Sequence, residues 1–450
     1  MSSKSYHVTP RSDGRWAVKA SNALRASSVH PTQQAATSAA RSLAQQAGGA
    51  IIICAKSGQV FTAKSTVRVP TEAVRPHRQT AVTASAPDPF RVGFGERLRR
   101  ARLMRGLSLR ALADALNGAV SHTTLQKIEC GETSPDSKLL GALAGTLAVR
   151  PDYFFKRDEL KLVAKEYRKL TKLGAKQQQR LEEEAFEFFE RYLEVERFFT
   201  LNSGDFPRHD LSRIAVDDLP EAIENAAEAL RQEWGLGMNP IANVHATLEQ
   251  HGVKVRLLKA AKGFDGFSAF ADGGGRVVPV VGLSEQWLTT ERDLPRFRFT
   301  ALHELAHLTL DLPPGLSSKE LEGCCHRFAG AMLIPREHFV RTFGENRVRI
   351  AVGELCAIKA EWGMSIAAIM KRASNLGLIT AGRYKSYCIV ANKQGWRTNE
   401  PGRWIGDESS QRFEQLVLRA MAEELITTSK AAGLLGVDLA TLAERFEPLG

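Results

Sequence analysis

Residues 298–307 read Arg298-Phe299-Thr300-Ala301-Leu302-His303-Glu304-Leu305-Ala306-His307. No Pro or Gly interrupts Arg296 to Asp311, and Phe297, Phe299, Leu302, Leu305, Leu308 and Leu310 supply apolar faces. The pattern predicts a helix with a buried side. A helix puts residues i and i+4 on one face, so His303 and His307 present two imidazoles to one metal ion. Glu304 follows, rotated by about 100° around the axis, where it can hold a water and take its proton. Two His ligands with a Glu base is the side-chain set of metal-assisted hydrolysis. Composition gives roughly 0.02 such pentads by chance, which sets this reading above that of a core helix with two histidines.

A catalytic zinc takes three protein ligands and keeps one position open. The next segment, Lys319-Glu320-Leu321-Glu322-Gly323-Cys324-Cys325-His326-Arg327-Phe328-Ala329, offers Glu320, Glu322, Cys324, Cys325 and His326. Spacing alone leaves the choice among them open. Residues 218–345 resemble the ImmA/IrrE family of zinc metallopeptidases. The resemblance rests on Pro240-Ile241, Leu248-Glu249-Gln250-His251-Gly252-Val253-Lys254-Val255, the stretch quoted above, and Glu322 followed by Phe328-Ala329 and Leu333-Ile334-Pro335. It implies a zincin-like α/β domain with Zn2+ held by His303, His307 and Glu322, and Glu304 as general base. Ala306 stands where the family usually has Gly, and Cys325-His326 where it usually has Ala-Asn. His326 is then either an oxyanion or outer-sphere group or a packing residue, and packing is the favoured reading.

Upstream, Phe94 to Arg102, Leu107-Ser108-Leu109-Arg110-Ala111-Leu112-Ala113 and Ser121-His122-Thr123-Thr124-Leu125-Gln126-Lys127-Ile128-Glu129-Cys130-Gly131 form a run of short helices. Ser108 and Ser121 are N-cap residues by type, Asn117-Gly118 is a stop signal, and Ala113 is small enough for a close helix crossing. The run resembles the Cro/CI-type (XRE-type) helix-turn-helix, which makes 121–130 the recognition helix. Ser121, His122, Thr123, Thr124, Gln126 and Lys127 are the expected contacts to base edges and phosphates. Many relatives carry Gln near Leu109 or Arg110, and Arg110 takes its phosphate-contacting role here. Trp362–Ala368 and Thr428–Val437 have a similar cadence but no strongly basic face, and read as packed helices.

The first 155 residues carry a net charge of +12 and the other 295 about −1, within a chain of 450 residues and net charge +11. A basic N-terminal third on a neutral body suits a phosphate-seeking module. A hydrophobic content of 43% and a charged content of 25% exclude a wholly disordered or collagen-like chain. Six cysteines make no disulfide framework, no apolar run is long enough for a membrane span, and a cytoplasmic location is expected.

The expected fold is multidomain α+β. Residues 1–67 read as a small basic ββαββ domain, with a hairpin around Asp13-Gly14, a helix over Thr32–Ala47 and a second hairpin around Ser57-Gly58; the stretch resembles a small bacterial domain of unknown function. Residues 68–92, rich in Pro, Thr, Ala and Arg, read as a linker. The all-α helix-turn-helix domain takes 93–155, a helical connector 156–217, the metallopeptidase domain 218–345 and a helical regulatory tail 346–450. Strands are expected at Val253–Val255, Phe267–Phe270 and Val277–Val280.

The combination implies a transcriptional regulator with a zinc endopeptidase domain. Its expected partners are a double-stranded DNA operator, read as a homodimer, and a protein substrate such as a repressor or this chain's own linker. The alternative is a transcription factor whose metal domain is a non-catalytic sensor or structural module.

Overall fold

The computed structural model describes residues 6–10, 15–20, 27–32, 35–37, 39–40, 51–54, 60–63, 88–156, 160–166, 174–199, 206–259, 263–273, 277–290 and 293–445. The expected turns at Asp13-Gly14 and Ser57-Gly58, and most of the linker, lie outside them. The chain divides into Met1–Thr83 and Ala84–Gly450.

In the first unit, β1 (Tyr6–Pro10), β2 (Trp16–Ala20), β3 (Ser28–His30), β4 (Ile51–Cys54) and β5 (Val60–Ala63) form one sheet in the order β3-β2-β1-β4-β5. Helix α1 contributes residues 35–37 and 39–40. β1 runs antiparallel to β2 and parallel to β4. A parallel neighbour needs a crossover connection, and the segment carrying α1 supplies it. Val8, Trp16, Val18, Ala36 and Ala40 form the core. The strand pairs of the two expected hairpins are present, and of the helix expected over Thr32–Ala47 residues 35–37 and 39–40 are helical, with 41–47 outside the described residues. β3 is an addition to the expected ββαββ: three residues are too few to show a period.

The second unit begins with α2 (Pro89–Met104), α3 (Leu109–Ala115), α4 (His122–Glu129) and α5 (Ser137–Leu147), closed by a 3-10 turn at Pro151–Phe155. Leu98, Leu112, Leu125, Ile128, Leu143 and Phe154 lie at its centre. β6 (Leu160–Glu166) and α6 (Ala175–Glu196) follow. The helical connector expected over 156–217 is therefore corrected at 160–166. Leu160-Lys161-Leu162 alternates with period two, which fits a strand, and β6 pairs antiparallel with β9 (Gly266–Gly273), with an irregularity between Val163 and Glu166.

A four-stranded sheet in the order β6-β9-β10-β8 organises the rest, with β8 at Lys254–Leu258 and β10 at Val277–Ser284. A second, small sheet pairs β7 (His209–Asp210) with β11 (Leu310–Asp311). One face of the larger sheet, through Val255, Val281 and Leu283, shares a core with α7 (Leu219–Glu233), α8 (Val244–Gln250), α9 (Leu294–Thr309), α10 (Ser318–Leu333) and α11 (Arg336–Phe343). The other face, through Leu258, Phe267, Ala269 and Val280, packs on Phe189 and Tyr192 of α6 and on the C-terminal helices α15 (Arg412–Ala422), α16 (Thr428–Leu435) and α17 (Leu439–Arg445). The core does not stop at 345. Leu355, Ile358 and Trp362 of α12 (Val352–Trp362), and Ile366, Ile369 and Met370 of α13 (Ile366–Asn375), belong to the same cluster as α9 and α10. Helix α14 (Ala381–Lys393) follows and buries little but Ala391. Both stretches with a helix-turn-helix cadence are thus packed helices of this body. Among the described residues no helix is long and apolar enough to cross a membrane.

Candidate metal centre and nucleic-acid interface

Helix α9 runs uninterrupted from Leu294 to Thr309 with Pro295 in its first turn, where a missing N–H costs nothing. Phe297, Ala301, Leu302, Leu305 and Leu308 hold it in the core. Arg298 anchors it from within. Its guanidinium is fully buried, pairs with the equally buried carboxylate of Glu408, donates to the carbonyl of Ile241 at 2.7 Å, and lies 4.2 Å over the ring of Trp404. Burial pulls the Arg298 pKa down and pushes that of Glu408 up, each against the opposing charge of its partner.

Five residues beyond Arg298, His303 is 1% exposed and Glu304 2% exposed. Helix α10 starts in a capping box, Ser317 accepting from the Glu320 N–H while the Glu320 carboxylate accepts from the Ser317 N–H. Those bonds hold Glu320 at the helix start and pull its pKa down. One turn on, Glu322 faces α9. Its carboxylate oxygens lie 3.2 Å from His303 Nε2 and 3.7 Å from His307 Nε2, and the two Nε2 atoms are 3.2 Å apart. Ligand atoms about 2.0–2.2 Å from a tetrahedral ion lie roughly 3.3–3.5 Å from one another. Two imidazole nitrogens 3.2 Å apart, with one carboxylate oxygen 3.2 Å from His303 and the other 3.7 Å from His307, make a donor set of the kind that holds a divalent ion.

His326 also borders this group. Its ring is 4.6 Å from that of His303 and stacks on Phe299 at 5.8 Å. One ligand atom each of His303, Glu322 and His326 lies within 4.8 Å of the others. His326 is exposed, so it stacks at the rim rather than in the core.

Two further groups border the site, Ser268, which the sequence did not single out, and Cys325, which it offered as a candidate ligand. Ser268, buried on β9, donates to the Glu304 carboxylate at 3.0 Å. Cys325, buried on α10, sets its thiol 3.6 Å from His307 Nδ1. Of the other sequence candidates, Glu320 belongs to the cap, and Cys324 is half-buried with its thiol pKa pushed up by burial. Among the described residues His303 Nδ1, which is buried, has no hydrogen-bond partner.

In the helix-turn-helix, Ser108 caps α3 and Ser121 caps α4, their hydroxyls accepting from the N–H groups of Ala111 and Thr124 at 3.1 Å each. The Ser121 hydroxyl also lies 2.8 Å from that of Thr123 and 2.9 Å from that of Thr124. Leu125 and Ile128 bury one side of α4. Ser121, His122, Thr123, Thr124, Gln126 and Lys127 are exposed, as is Arg110 on α3. The closest helix approach is at Gly95 on α2, where a Cβ would stand 2.5 Å from the carbonyl oxygens of Ile128 and Glu129. Ala113, which the sequence suggested for a close crossing, is a core residue. Arg102 grips both carboxylate oxygens of Glu129 at 2.6 and 2.8 Å. Arg97, fully buried, reaches out of the unit to Glu190 on α6 at 2.5 and 2.6 Å.

Three family models match parts of the chain. Residues 6–65 match the model of an uncharacterized protein conserved in bacteria, 98–154 a helix-turn-helix, and 248–374 the IrrE N-terminal-like domain. No curated protein matches the chain. The chain thus joins a small bacterial domain without assigned chemistry, a helix-turn-helix DNA-binding domain and an IrrE-like metallopeptidase-family domain.

Proposed function

We propose that the protein is a DNA-bound regulator whose IrrE-like domain is a zinc endopeptidase. The observation that carries it is the convergence of the His303 and His307 Nε2 atoms and the Glu322 carboxylate within 3.2–3.7 Å beside a buried Glu304 held by Ser268. His303, His307 and Glu322 would hold the zinc. Zinc supplies Lewis acidity, polarising the scissile carbonyl and easing deprotonation of water. Glu304 takes the water's proton and returns it to the leaving amine. The Ser268 hydroxyl aims the Glu304 carboxylate, and the core around α9 keeps bulk water from competing for it. His326, exposed at the rim, would contact the substrate's carbonyl oxygen as charge develops there. The substrate class is a protein, a repressor or the chain's own linker near 68–92. The helix-turn-helix reads an operator through Ser121, His122, Thr123, Thr124, Gln126 and Lys127, with Arg110 on phosphate, as a homodimer in the cytoplasm.

One observation favours a second reading. His326 brings a fourth ligand atom near His303 and Glu322, and four protein ligands would close the site into a structural or sensing one.

Zinc content and Glu304→Gln separate the two. About one zinc per chain, lost in His303→Ala/His307→Ala, establishes the site. Glu304→Gln then keeps zinc and DNA binding. Under the peptidase reading, proteolysis and the regulatory output fall together. An unchanged output assigns the site a non-catalytic role. For the DNA surface, Gln126→Ala with Lys127→Ala weakens operator binding, and loss of one phosphate contact lowers the slope of log K against log salt by about 0.9. Unchanged affinity at defined salt rules out α4 as the recognition helix.

A further inference from the structure

A cleft of about 1450 Å³ opens beside His326 and Phe299. Its walls differ in charge. The side formed by α9, the loop before it and the loop before β9 carries Asp265, Asp293 and Arg296, and Arg296 is neutralised by Asp265 at 2.9 Å. The side formed by α10, α13 and the loop after α14 carries Arg327, Lys371, Arg372 and Arg397. Arg327 and Arg372 share the single buried carboxylate of Glu224, at 3.3 and 2.9 Å. Arg372 is almost fully buried, and among the described residues its Nε has no hydrogen-bond partner. Lys371 lies over the ring of Tyr384 at 5.4 Å. Among the described residues neither Lys371 nor Arg397 has a carboxylate partner. Two acids line this side: Glu320, tied to the Ser317 cap, and Glu400, held by Lys359 and by the Ala367 N–H at 2.9 Å each. Glu224 is shared by two guanidiniums, so the wall keeps excess positive charge, and its exposed part is Lys371 and Arg397.

Its distance from the metal centre follows from α10. A Cβ on Gly330 would stand 3.7 Å from the Arg372 guanidinium, and Gly330 is eight residues beyond Glu322. Eight helical residues span about 12 Å. An extended peptide covers the same distance in three to four residues at about 3.3 Å each.

We infer that this cleft selects peptides bearing an Asp or Glu side chain three to four residues from the scissile bond, read by Lys371 and Arg397 over the buried Arg327–Arg372 pair. The inference rests on the peptidase reading for its register. The charge complementarity stands without it.

The test uses the zinc-loaded full chain with excess duplex DNA to occupy the helix-turn-helix. Fluorescein-labelled decapeptide pools, identical except for Glu, Gln or Lys at one position, are titrated by anisotropy and then incubated for cleavage. The Glu pool is expected to bind about tenfold tighter than the Gln pool, the effect of one to two partly screened ion pairs. K371E/R397E, which alters two exposed side chains, should bring that ratio to one or below and favour the Lys pool. Cleavage sites should fall three to four residues from the Glu. Equal binding of the Glu and Gln pools, or a preference that survives K371E/R397E, overturns the inference. Cleavage at other distances also overturns its register. Acid-selective binding that K371E/R397E reverses, without any cleavage, confirms the cleft and counts against the peptidase reading alone.

Discussion

In the helix-turn-helix, the candidate DNA-contacting side chains leave two short helices, α3 and α4, into solvent. Local caps start both helices. In the metal centre, the groups come from α9, α10 and β9, and all but His326, Glu322 and His307 are nearly sealed from solvent. The helix-turn-helix places its groups by backbone geometry that a dozen neighbouring residues determine. The metal centre places its groups through packing that reaches from Ile241 to Glu408. A local site tolerates change elsewhere in the chain. A distributed site inherits the stability of everything it leans on.

The sharpest way to break that contrast is at Glu408, which is about a hundred residues from His303 in sequence. Glu408→Gln leaves the Arg298 charge buried without its counter-ion. Removing one partner of a buried pair costs about 3–5 kcal/mol. The expected outcome is a urea midpoint shifted to match, with an unchanged slope, and weaker zinc binding because α9 loses its anchor. Operator affinity at low denaturant should hold. Stability within about 0.5 kcal/mol of wild type, the range of ordinary surface changes, would show that the distal strap does not support the metal centre.

Next in size is Gly95→Ala. The added Cβ meets the Ile128 and Glu129 carbonyls at 2.5 Å, against backbone that has no side-chain rotamer to yield. Overpacking of this kind costs about 1–3 kcal/mol. Here the loss should be confined to the helix-turn-helix: operator affinity falls at fixed salt while zinc content stays constant. A loss of zinc would mean that the two sites are mechanically joined, with Arg97–Glu190 and Arg100–Glu183 among the contacts through which α2 touches α6.

The same contrast explains what could be read from the chain. His303, Glu304 and His307 are legible because one helix turn brings them together. Ser108 and Ser121 are legible because capping is a property of residue type and position. Glu322 needed a family resemblance, since Glu320, Glu322, Cys324, Cys325 and His326 share one turn and a half, and only the docking of α10 on α9 distinguishes them. Ser268 sits in a strand that was foreseen, but nothing in Phe267-Ser268-Ala269 says that its hydroxyl meets Glu304. β6 was missed because the following helical stripe from Leu181 onward dominates the window. Its strand character comes from β9, some hundred residues away. The core shared by α12 and α13 with α9 was hidden for the same reason: an amphipathic helix reveals that it packs, not against what.

The smallest effect compares two serines that do the same local work in the two regions. Ser121 and Ser317 both accept a backbone N–H at the start of a helix, and an N-cap Ser→Ala change costs about 1 kcal/mol. Equal losses in stability are therefore expected from Ser121→Ala and Ser317→Ala. Their functional consequences should differ. The Ser121 hydroxyl also sits beside those of Thr123 and Thr124, so its removal frees two side chains on the recognition face and lowers operator affinity beyond what the stability loss accounts for. Ser317 starts the helix that carries Glu322, so its removal should raise the zinc dissociation constant and leave the operator untouched. Anisotropy with operator DNA and competition with a zinc indicator, on both variants at one salt concentration, give the two-by-two comparison. If both variants lose both functions in proportion to stability, the division between a local and a distributed site fails.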